Sequence, residues 1–379
     1  MKIAAVRTFP IHLTVRPEFY IVSSAGAHAV SRYVVVAIDT DAGVTGWGEA
    51  TVVPLWSGES QGGALALLHD YIAPLLIGRD PMEVAALAGE MDAIALDNPF
   101  TKAAVEMALL DLVGKAQEKP VYELLGGAAN PLKIPIKFSI GLREPDDAAN
   151  IAAGKVRDGF TAIKLKVGPD AEKDLARVRA VRAAIGPNVK LNVDVNGGWT
   201  VEQSIREIER YGPYHLEYVE QPTPRWDIDA LAQVRRAVDV PIMADEAVFA
   251  VHDAEELIAK QAADLISIYP GKNGGILKAK KICDLAAAAG VGCHLGSNLE
   301  WDIGTAAMCH LAVACANVSV SHFPVDILGP LYYAVKPRSK PIRFEHGYVH
   351  VPAGSGLGVD LCAEELEALS AARTISTRK

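Results

Sequence analysis

Cysteine is scarce in this chain: five of 379 residues, odd in number and nowhere spaced as C-x-x-C. These features argue against a disulfide framework. The cysteines mostly sit among Ala, Val and Leu, where free thiols behave as small apolar side chains. We therefore predict buried, reduced thiols at Cys283, Cys293, Cys309, Cys315 and Cys362.

Long apolar runs are also missing. The longest, such as the stretch that begins at Leu285, stop near about ten residues, well short of the roughly 18 to 20 that a membrane span requires. Arg7 and Pro10 interrupt the segment that a signal peptide would need to keep apolar. The sequence predicts a cytoplasmic protein that does not cross a bilayer.

The chain has no excess of basic residues. It contains 37 Lys and Arg against 46 Asp and Glu, a net charge of -9, so there is no electrostatic reason to expect nucleic acid or an anionic membrane as a partner. With 50% hydrophobic residues the chain can bury a large core. The prediction is a soluble globular protein whose partner is a small molecule.

No G-x-G-x-x-G follows any of the apolar stretches that alternate with amphipathic ones from Ile134 onward. Residues near the predicted strand ends are spaced by 30, 26, 25, 24 and 25 residues, and they are Lys164, Asp194, Glu220, Asp245, Tyr269 and His294. Parallel strands joined by crossover helices require such a period, and seven or eight of them close a barrel. The missing glycine motif counts against a doubly wound open sheet.

The N-terminal region has a different pattern. An antiparallel hairpin is predicted where SRYVVVAIDT and VTGWGEA flank the turn at residues 41–43. From Leu65 to about Leu125 the apolar spacing becomes helical, with Pro99 at a first helical position and Asn98 as its cap. Strands followed by helices predict an α+β domain.

Three segments follow from these patterns. Residues 1–130 are expected to form the α+β domain, and residues 131–330 the barrel. The tail, residues 331–379, is predicted to form a strand pair and a Gly-rich loop that return to the first domain.

Single carboxylates end three consecutive predicted strands: Asp194 in VDVN, Glu220 in EYVEQP and Asp245 in MADEA. A barrel collects its active-site groups at the C-terminal ends of its strands. Three converging carboxylates repel one another unless a cation neutralises them, and rigid oxygen ligands suit Mg²⁺ or Mn²⁺. The alternative, in which each acid only caps the next helix, would have to hold three times in register.

Two lysines precede these acids. In TAIKLKVG, Lys164 and Lys166 alternate with apolar residues, so both side chains point to one face of the strand. In a barrel that face is the interior, toward the predicted acids, whereas on an exposed edge strand the lysines would be solvated. A lysine crowded by a second lysine and a metal ion can act as a base near neutral pH.

Taken in order, K-x-K, D-V-N, V-E-Q-P, A-D-E and K-N-G-G resemble the enolase superfamily, in its mandelate racemase and muconate lactonizing enzyme family. The GWGEA stretch, the LLGG turn and the closing GSGLGV are similar to the capping domain of that family, so the likeness covers nearly the whole chain. The implied fold is α/β: a (β/α)7β TIM-like barrel with an α+β capping domain built from the N-terminal segment and the C-terminal tail.

The resemblance implies roles for five residues. Asp194, Glu220 and Asp245 would bind Mg²⁺, with Mn²⁺ as a substitute, while Lys164 and Lys166 would form the base pair on one side of the substrate. Lys166 would be the proton acceptor. The shared step of the family is removal of a proton α to a carboxylate through an enolate that the metal stabilises.

Glu300, in GVGCHLGSNLEWDIG, falls where muconate lactonizing enzymes have a glutamate, which favours that subgroup. Four polar residues are expected to contact the substrate: Asn196, Lys272, Asn298 and Glu300. Lys272 is predicted to lie in the loop that follows the sixth strand.

Tyr269 departs from this subgroup. Five positions before the first glycine of Gly274–Gly275 its members have a second catalytic lysine, and here that position is Tyr269. A phenol with a pKa near 10 is a poor base, so the opposing base is missing. Tyr269 can still donate a proton or a hydrogen bond, and His294 at the end of the next strand is a second catalytic candidate, for which a structural role is equally open.

Substrate specificity is expected from two capping-domain loops, residues 16–28 and 52–60. Phe19, Tyr20 and Trp56 in these loops would give an apolar pocket that accepts a ring, or they would only seal the domain interface. Small cyclic or unsaturated acids, such as muconates or hydroxyprolines, are the expected substrates.

The prediction is a Mg²⁺-dependent, one-base lyase or isomerase, either a dehydratase or a muconate-type cycloisomerase. An epimerase of the amino-acid or hydroxyproline type, with His294 as its second base, is the first alternative. A non-catalytic ligand-binding relative is the second, and the intact lysines and carboxylates disfavour it. Relatives also imply a homo-oligomer, a dimer or an octamer.

Overall fold

The computed structural model describes residues 1–24, 26–334 and 341–376. Ala25 of the first predicted specificity loop, and residues 335–340 and 377–379 of the predicted tail segment, lie outside the described residues. No helix within the described ranges combines the length and the apolar character that a bilayer span requires.

The N-terminal part contains an antiparallel sheet, a short hairpin and helices. The strands are β1 (Ile3–Thr14), β2 (Ile21–Ser23), β3 (Gly26–His28), β4 (Val30–Thr40) and β5 (Thr45–Val52). The helices are α1 (Pro54–Ser57), α2 (Gln61–Leu67), α3 (Ala73–Leu76), α4 (Val84–Ile94), α5 (Pro99–Ala116) and α6 (Val121–Leu124). The sheet order is β1-β4-β5, and β2 pairs with β3, so the predicted hairpin of β4 and β5 is confirmed.

The barrel region alternates strands with helices. Its elements are β6 (Lys133–Pro135), β7 (Phe138–Ile140), α7 (Pro145–Arg157), β8 (Ala162–Lys166), α8 (Ala171–Ile185), β9 (Lys190–Asp194), α9 (Val201–Tyr211), β10 (Val219–Glu220), α10 (Ile228–Ala237), β11 (Ile242–Ala244), α11 (Val251–Ala259), β12 (Leu265–Ile268), α12 (Ile276–Ala288), β13 (Gly292–Leu295) and α13 (Asp302–Ala314). The seven strands from β7 to β13 form one parallel sheet in sequence order. The predicted α/β fold with parallel strands is confirmed.

Residues 318–326 close this sheet at the eighth position. Val318 bridges Cys293 of β13, and Val325 bridges Ile136 just before β7. The backbone N–H of Asp326 donates to the carbonyl of Leu295 at 2.9 Å. Since the segment bonds to both edges of the curled sheet, strands four positions apart lie on opposite sides of the barrel.

The tail contains β14 (Phe344–Glu345), β15 (Tyr348–His350) and α14 (Ala363–Ser376). The predicted strand pair is present, and β15 pairs with β6 beside the barrel. The helix α14, which the sequence pattern did not predict, packs on β1 of the N-terminal sheet. Ser370 Oγ donates to the carbonyl of Pro10 at 2.9 Å.

The long helix α5 packs between the N-terminal sheet and the barrel, and residues on all its faces are buried. Gly46 and Gly48 of β5 allow the close approach: a Cβ at Gly48 would lie 1.7 Å from the Ala104 carbonyl oxygen, and one at Gly46 would lie 2.1 Å from that of Ala108. The two glycines of GWGEA therefore serve helix packing.

The prediction that Asn98 caps α5 with its side chain is wrong. Asn98 precedes Pro99, but its side-chain Nδ2 donates to the Leu96 carbonyl, and its φ is 54°. Glu59 caps the helix instead, because its carboxylate accepts from the backbone N–H of Phe100 at 2.7 Å. A tertiary contact from a distant loop thus replaces the local cap that sequence predicts.

Two buried glutamates of the N-terminal part hold barrel helices by their N-termini. Glu49 of β5 accepts from the N–H of Trp301 at 2.7 Å and of Gly304 at 3.1 Å, at the start of α13. Glu106 of α5 accepts from the N–H of Ile276 at the start of α12. Burial raises the pKa of Glu49 to about 7 even though these donors oppose the shift.

The raised pKa makes stability depend on pH. Folding favours the protonated form of Glu49, so its contribution to stability is complete below about pH 4.5 and is lost as the pH rises through about 7. We expect Glu49→Gln, which cannot ionise, to gain stability relative to the unsubstituted protein over this interval, by about 3 kcal/mol in total. Urea unfolding across the interval measures the difference. Glu209→Gln, exposed on α9, should give a flat difference, and a relative stability of Glu49→Gln that falls with rising pH would contradict the assignment.

Candidate active site

The three predicted carboxylates come together at the C-terminal end of the barrel. Asp194 and Glu220 are paired residues at the ends of β9 and β10, and Asp245 follows β11, where its N–H donates to Gln221 Oε1 at 2.9 Å. All three line one cavity of about 330 Å³. Their positions at the ends of three successive strands are those that the strand period in the sequence predicts.

The two predicted lysines face the same cavity. Lys166 is paired with Asp194 in register, and its Nζ lies 2.5 Å from Asp194 Oδ2. Lys164 Nζ lies 3.1 Å from Glu220 Oε2 and 2.8 Å from Asp326 Oδ2. Both side chains point into the barrel, so the alternative of an exposed edge strand is excluded.

Lys164 remains charged in this environment. Burial opposes the ammonium form, but Asp326, Glu220 and Asp194 outweigh burial and raise the pKa of Lys164 well above its ordinary value. Among the neighbouring carboxylates, burial and then the charge of Asp194 raise the pKa of Glu220 to about 8. At Asp194, burial is outweighed by Lys166 and Lys164, which lower its pKa. The ionised form is therefore disfavoured at Glu220 and favoured at Asp194.

This charge distribution affects whether a divalent cation can bind at the site. As the side chains lie, no three acidic, histidine or cysteine residues within the described ranges are grouped closely enough to hold one ion. The lysine ammonium groups bond to the carboxylate oxygens, and a cation would compete with them. The donor set fits Mg²⁺ nonetheless, because it consists of oxygens on three adjacent strand ends, where burial and then the charge of Asp194 raise the pKa of Glu220.

Lys272 is in the predicted loop but does not face the substrate cavity. Its Nζ donates to Asp245 Oδ1 at 2.7 Å, to the Asp245 carbonyl at 2.8 Å and to the Ser267 carbonyl at 2.7 Å. The side chain is fully buried, and Lys272 is not among the cavity-lining residues. Its role is to hold Asp245, which corrects the prediction that it contacts substrate.

Tyr269 lines the cavity from the strand opposite the lysines. It follows β12, which stands four positions from β8 in the barrel. The ring is 1% exposed, and its hydroxyl has no hydrogen-bond partner among the described residues. Burial, followed by the charges of Asp245 and Glu246, raises the pKa of Tyr269 well above its ordinary value, so the phenol is an acid and not a base at neutral pH.

His294 lies deeper than Tyr269 and does not line the cavity. In register it pairs with Ser267, two residues before Tyr269, so it belongs to the next layer down. Its Nε2 lies 3.0 Å from Lys137 Nζ and 3.2 Å from the Pro324 carbonyl oxygen. Burial, and then the charge of Lys137, lower the pKa of His294 well below its ordinary value. The geometry therefore separates His294 from the other predicted catalytic residues.

The predicted substrate contacts divide into two groups. Trp56, Asn196 and Asn298 line the cavity, whereas Tyr20 and Glu300 do not. Glu300 is buried and accepts from Ser297 Oγ at 2.6 Å and from the N–H of Asn298 at 3.0 Å, so it shapes the loop that forms the wall.

Residues 16–24 and 26–28, the described part of the first specificity loop, fold over the cavity mouth. Ile21, Ser23 and His28 of its hairpin line the cavity, while Ser24 Oγ donates to the Val167 carbonyl at 3.3 Å. Phe19 packs on Phe138 with ring centroids 5.3 Å apart and on Tyr332 at 5.6 Å, so it seals the junction with the barrel.

Asp326 is a cavity residue that the sequence analysis missed. Its Oδ2 lies 3.2 Å from Lys137 Nζ and 2.8 Å from Lys164 Nζ, and its Oδ1 accepts from Ser139 Oγ at 3.0 Å. The stretch HFPVDILG carried the signal: an apolar run that ends in a carboxylate, 32 residues after His294. The eighth strand makes isolated bridges instead of a regular ladder, which is why its apolar pattern is short.

Comparison with known proteins gives a consistent picture. Residues 5–126 match the model described as mandelate racemase / muconate lactonizing enzyme, N-terminal domain, and residues 147–366 match the model described as enolase C-terminal domain-like. Muconate cycloisomerase 1 of Rhodococcus opacus is 35% identical over 92% of this chain and 92% of its own length.

Two solved structures extend the likeness to the fold. The N-succinyl Arg/Lys racemase from Bacillus cereus superposes with a TM-score of 0.92 at 30% identity, covering 97% of this chain and 98% of its own. A dipeptide epimerase from Enterococcus faecalis, crystallised with Mg and the dipeptide L-Leu-L-Tyr, superposes with a TM-score of 0.90 at 32% identity, covering 95% and 100%.

The position of Asp326 predicts a large stability effect. Asp326→Asn keeps the shape of the side chain but leaves two buried ammonium groups without their shared counter-charge, and breaking a buried pair in this way costs roughly 3 to 5 kcal/mol. We expect urea unfolding at neutral pH to show a loss of that size. Asp360→Asn, whose side chain is 77% exposed, should change stability by less than about 0.5 kcal/mol. Equal stability of the two variants would contradict the proposed pairing.

Proposed function

The chain is an enzyme of the mandelate racemase/muconate lactonizing enzyme family within the enolase superfamily, and we propose that it removes a proton α to the carboxylate of a small acid in a Mg²⁺-dependent, one-base reaction. The product would arise by elimination or by cycloisomerisation. The observation that carries this proposal is Tyr269, a buried phenol with no protein partner among the described residues, on the wall opposite Lys166.

Asp194, Glu220 and Asp245 would hold the metal ion, since they supply oxygens from three adjacent strand ends on the cavity. When bound, Mg²⁺ or Mn²⁺ would act as a Lewis acid toward a substrate carboxylate and make the α proton more acidic. Lys272 fixes Asp245 from behind, and Asn196 fixes Asp194 because its N–H donates to Asp194 Oδ1 at 2.9 Å.

Lys166 is the proposed base. It is the more accessible of the two lysines, with 13% of its side chain exposed against 6% for Lys164. Lys164 is held by Asp326 and Glu220 and stays an ammonium group. Lys164 thus supplies a fixed positive charge at the site, and Lys166 is left as the proton acceptor.

Tyr269 is the proposed proton donor on the opposite side. A phenol that stays protonated at neutral pH can protonate a departing hydroxyl or the carbon skeleton, but it accepts a proton poorly. In an elimination, Lys166 would remove the α proton and Tyr269 would give its proton to the departing hydroxyl, which leaves as water. In ring closure of an unsaturated acid, a carboxylate oxygen would add to the double bond, and one of these two residues would deliver a proton to the α carbon of the resulting enolate.

The cavity favours a small substrate. Its volume of about 330 Å³ is at the lower end for ligand pockets, and apolar side chains of the N-terminal part form its upper wall: Ile21, Val30, Val52, Leu55 and Trp56. Small cyclic or unsaturated acids, such as muconates or hydroxyprolines, match these properties.

An epimerase is the second candidate, because several relatives carry that name, among them a hydrophobic dipeptide epimerase of Enterococcus faecalis with 34% identity over 95% of this chain. Epimerisation needs a proton acceptor on each face of the α carbon. His294 does not reach the cavity, so Tyr269 would have to fill this role, against the direction of its pKa.

Metal dependence can be measured without a known substrate. We expect millimolar Mg²⁺ to raise the melting temperature and EDTA to reverse the rise, because an ion that binds only the folded chain stabilises it. Asp194→Asn and Glu220→Gln should abolish the rise. Asp284→Asn, with a side chain 62% exposed, should retain it. A rise that survives in the first two variants would place the ion elsewhere.

The reaction can be identified by ¹H NMR in D₂O with Mg²⁺, using muconates, hydroxyprolines, acid sugars and N-acyl amino acids. We expect loss of an α proton together with new vinyl or keto signals for one compound class, and no change with Lys166→Ala. Tyr269→Phe should retain Lys166-dependent exchange of the α proton and slow product formation by roughly 100-fold or more, the contribution of a general acid. Exchange with inversion and no other product would instead establish the epimerase.

A further inference from the structure

The ring of Tyr269 is enclosed by groups from three parts of the chain. The indole of Trp56 stacks on it, with ring centroids 5.8 Å apart and an interplanar angle of 21°. Lys272 Nζ lies 4.6 Å from the ring centroid. Gly296 lies against the ring edge, because a Cβ there would be 2.8 Å from Tyr269 Cε1.

Trp56 is itself fixed in place. Its Nε1–H donates to Glu246 Oε1 at 3.1 Å, and the same oxygen accepts from Asn196 Nδ2 at 2.7 Å. Phe100 meets the indole edge-on at 6.0 Å, and Phe249 lies 5.2 Å away. Trp56 belongs to α1 of the N-terminal part, so a side chain from outside the barrel sets one side of the Tyr269 pocket.

Position 296 requires glycine because a side chain would not fit there, and not because of its backbone conformation. Its φ is not in the left-handed region, so alanine could adopt the backbone. Register explains the contact: Ser267 pairs with His294, which makes Gly296 the neighbour of Tyr269 two residues further on. A Cβ here would lie 2.3 Å from Ser267 Oγ and 2.8 Å from Tyr269 Cε1, so a side chain would displace the hydroxyl of Ser267 and the phenol ring.

The hydroxyl of Tyr269 has no hydrogen-bond partner among the described residues. Its direction is therefore fixed by the packing of the ring and by nothing else in the described part of the chain. Building on the proposed function, we propose that Trp56 and Gly296 are positioning residues that hold the Tyr269 phenol in the orientation needed to deliver a proton.

Substitution of Trp56 tests one side of this pocket. With the compound that the unsubstituted enzyme converts, Trp56→Ala should slow product formation at saturating substrate by about 10- to 100-fold, the usual cost of misplacing a reacting group by about 1 Å. Lys166-dependent α-proton exchange, also measured at saturating substrate, should fall much less than product formation, since Lys166 lies across the barrel. Trp56→Phe retains a stacked ring and should recover most of the loss. Trp226→Ala removes a tryptophan that is 82% exposed and is the matched control.

A double-mutant cycle separates positioning from general damage. If Trp56 acts through the phenol, Trp56→Ala should cost little more once Tyr269→Phe has removed the hydroxyl. Additive losses in the double variant would overturn the proposal, because a merely structural role for Trp56 adds to the loss of Tyr269.

Gly296→Ala tests the other side in the same way, with slower product formation and retained exchange. Gly89→Ala on α4 is its control, because a Cβ there meets nothing within 4 Å. Unchanged product formation in Gly296→Ala would show that the ring position does not matter.

A measurement without substrate keeps this inference separate from the proposed function. In protein labelled with ¹³C-tyrosine, the Tyr269 ring signals, assigned by Tyr269→Phe, should be shifted upfield by the stacked indole and should move downfield in Trp56→Ala. If these signals move as expected but no compound shows Lys166-dependent exchange, the proposed function fails. If they do not move, or if turnover is unaffected when they do, the positioning role fails.

Discussion

The balance of buried charge at the barrel mouth is the constraint on which the site depends. Asp194, Glu220 and Asp245 converge there because parallel strands end at the same edge, and their repulsion would destabilise the fold if it were not offset. Lys164 and Lys166 offset it within the cavity, while Lys272 does so from behind Asp245. Burial and the charge of Asp194 still raise the pKa of Glu220 in this arrangement, so a cation next to its carboxylate would stabilise the ionised form.

The N-terminal part and the barrel function as one unit because they share buried contacts. Glu49 and Glu106 hold the N-termini of α13 and α12, and these are the helices that follow the strands β13 and β12. Trp56 extends the connection to Tyr269 itself. A displacement of the N-terminal part relative to the barrel would therefore change the active-site wall directly, and not only the cavity entrance.

The fold and the positions of most predicted site residues follow from the sequence because strand period and strand-end residues are local patterns. Asp194, Glu220, Asp245 and the inward lysines followed from spacing, and the motif order supplied the family. The errors concern the depth of a residue within the barrel and the contact partners of a side chain, and both depend on tertiary structure. The spacing places His294 near a strand end, but its partner in register is Ser267 and not Tyr269. The partners of Lys272 are Asp245, which follows β11, and Ser267 of β12. The packing of Trp56 on the Tyr269 ring produces no periodic pattern in the sequence. The homo-oligomer and the magnesium ligands stay predictions.

Asp326 also bears on the order in which the chain can assemble. It belongs to the segment that closes the barrel, and it pairs with a lysine 162 residues earlier in the sequence. During synthesis, Lys164 leaves the ribosome long before Asp326 exists, and until then Glu220 and Asp194 are the carboxylates that can pair with it. Docking of the eighth strand thus completes the hydrogen-bonded circle and brings the nearest carboxylate, Asp326, to Lys164 in one event. A nascent chain that stops short of residue 326 would hold the other site residues in sequence but not a competent catalyst, so the reactive site and the finished barrel arise together.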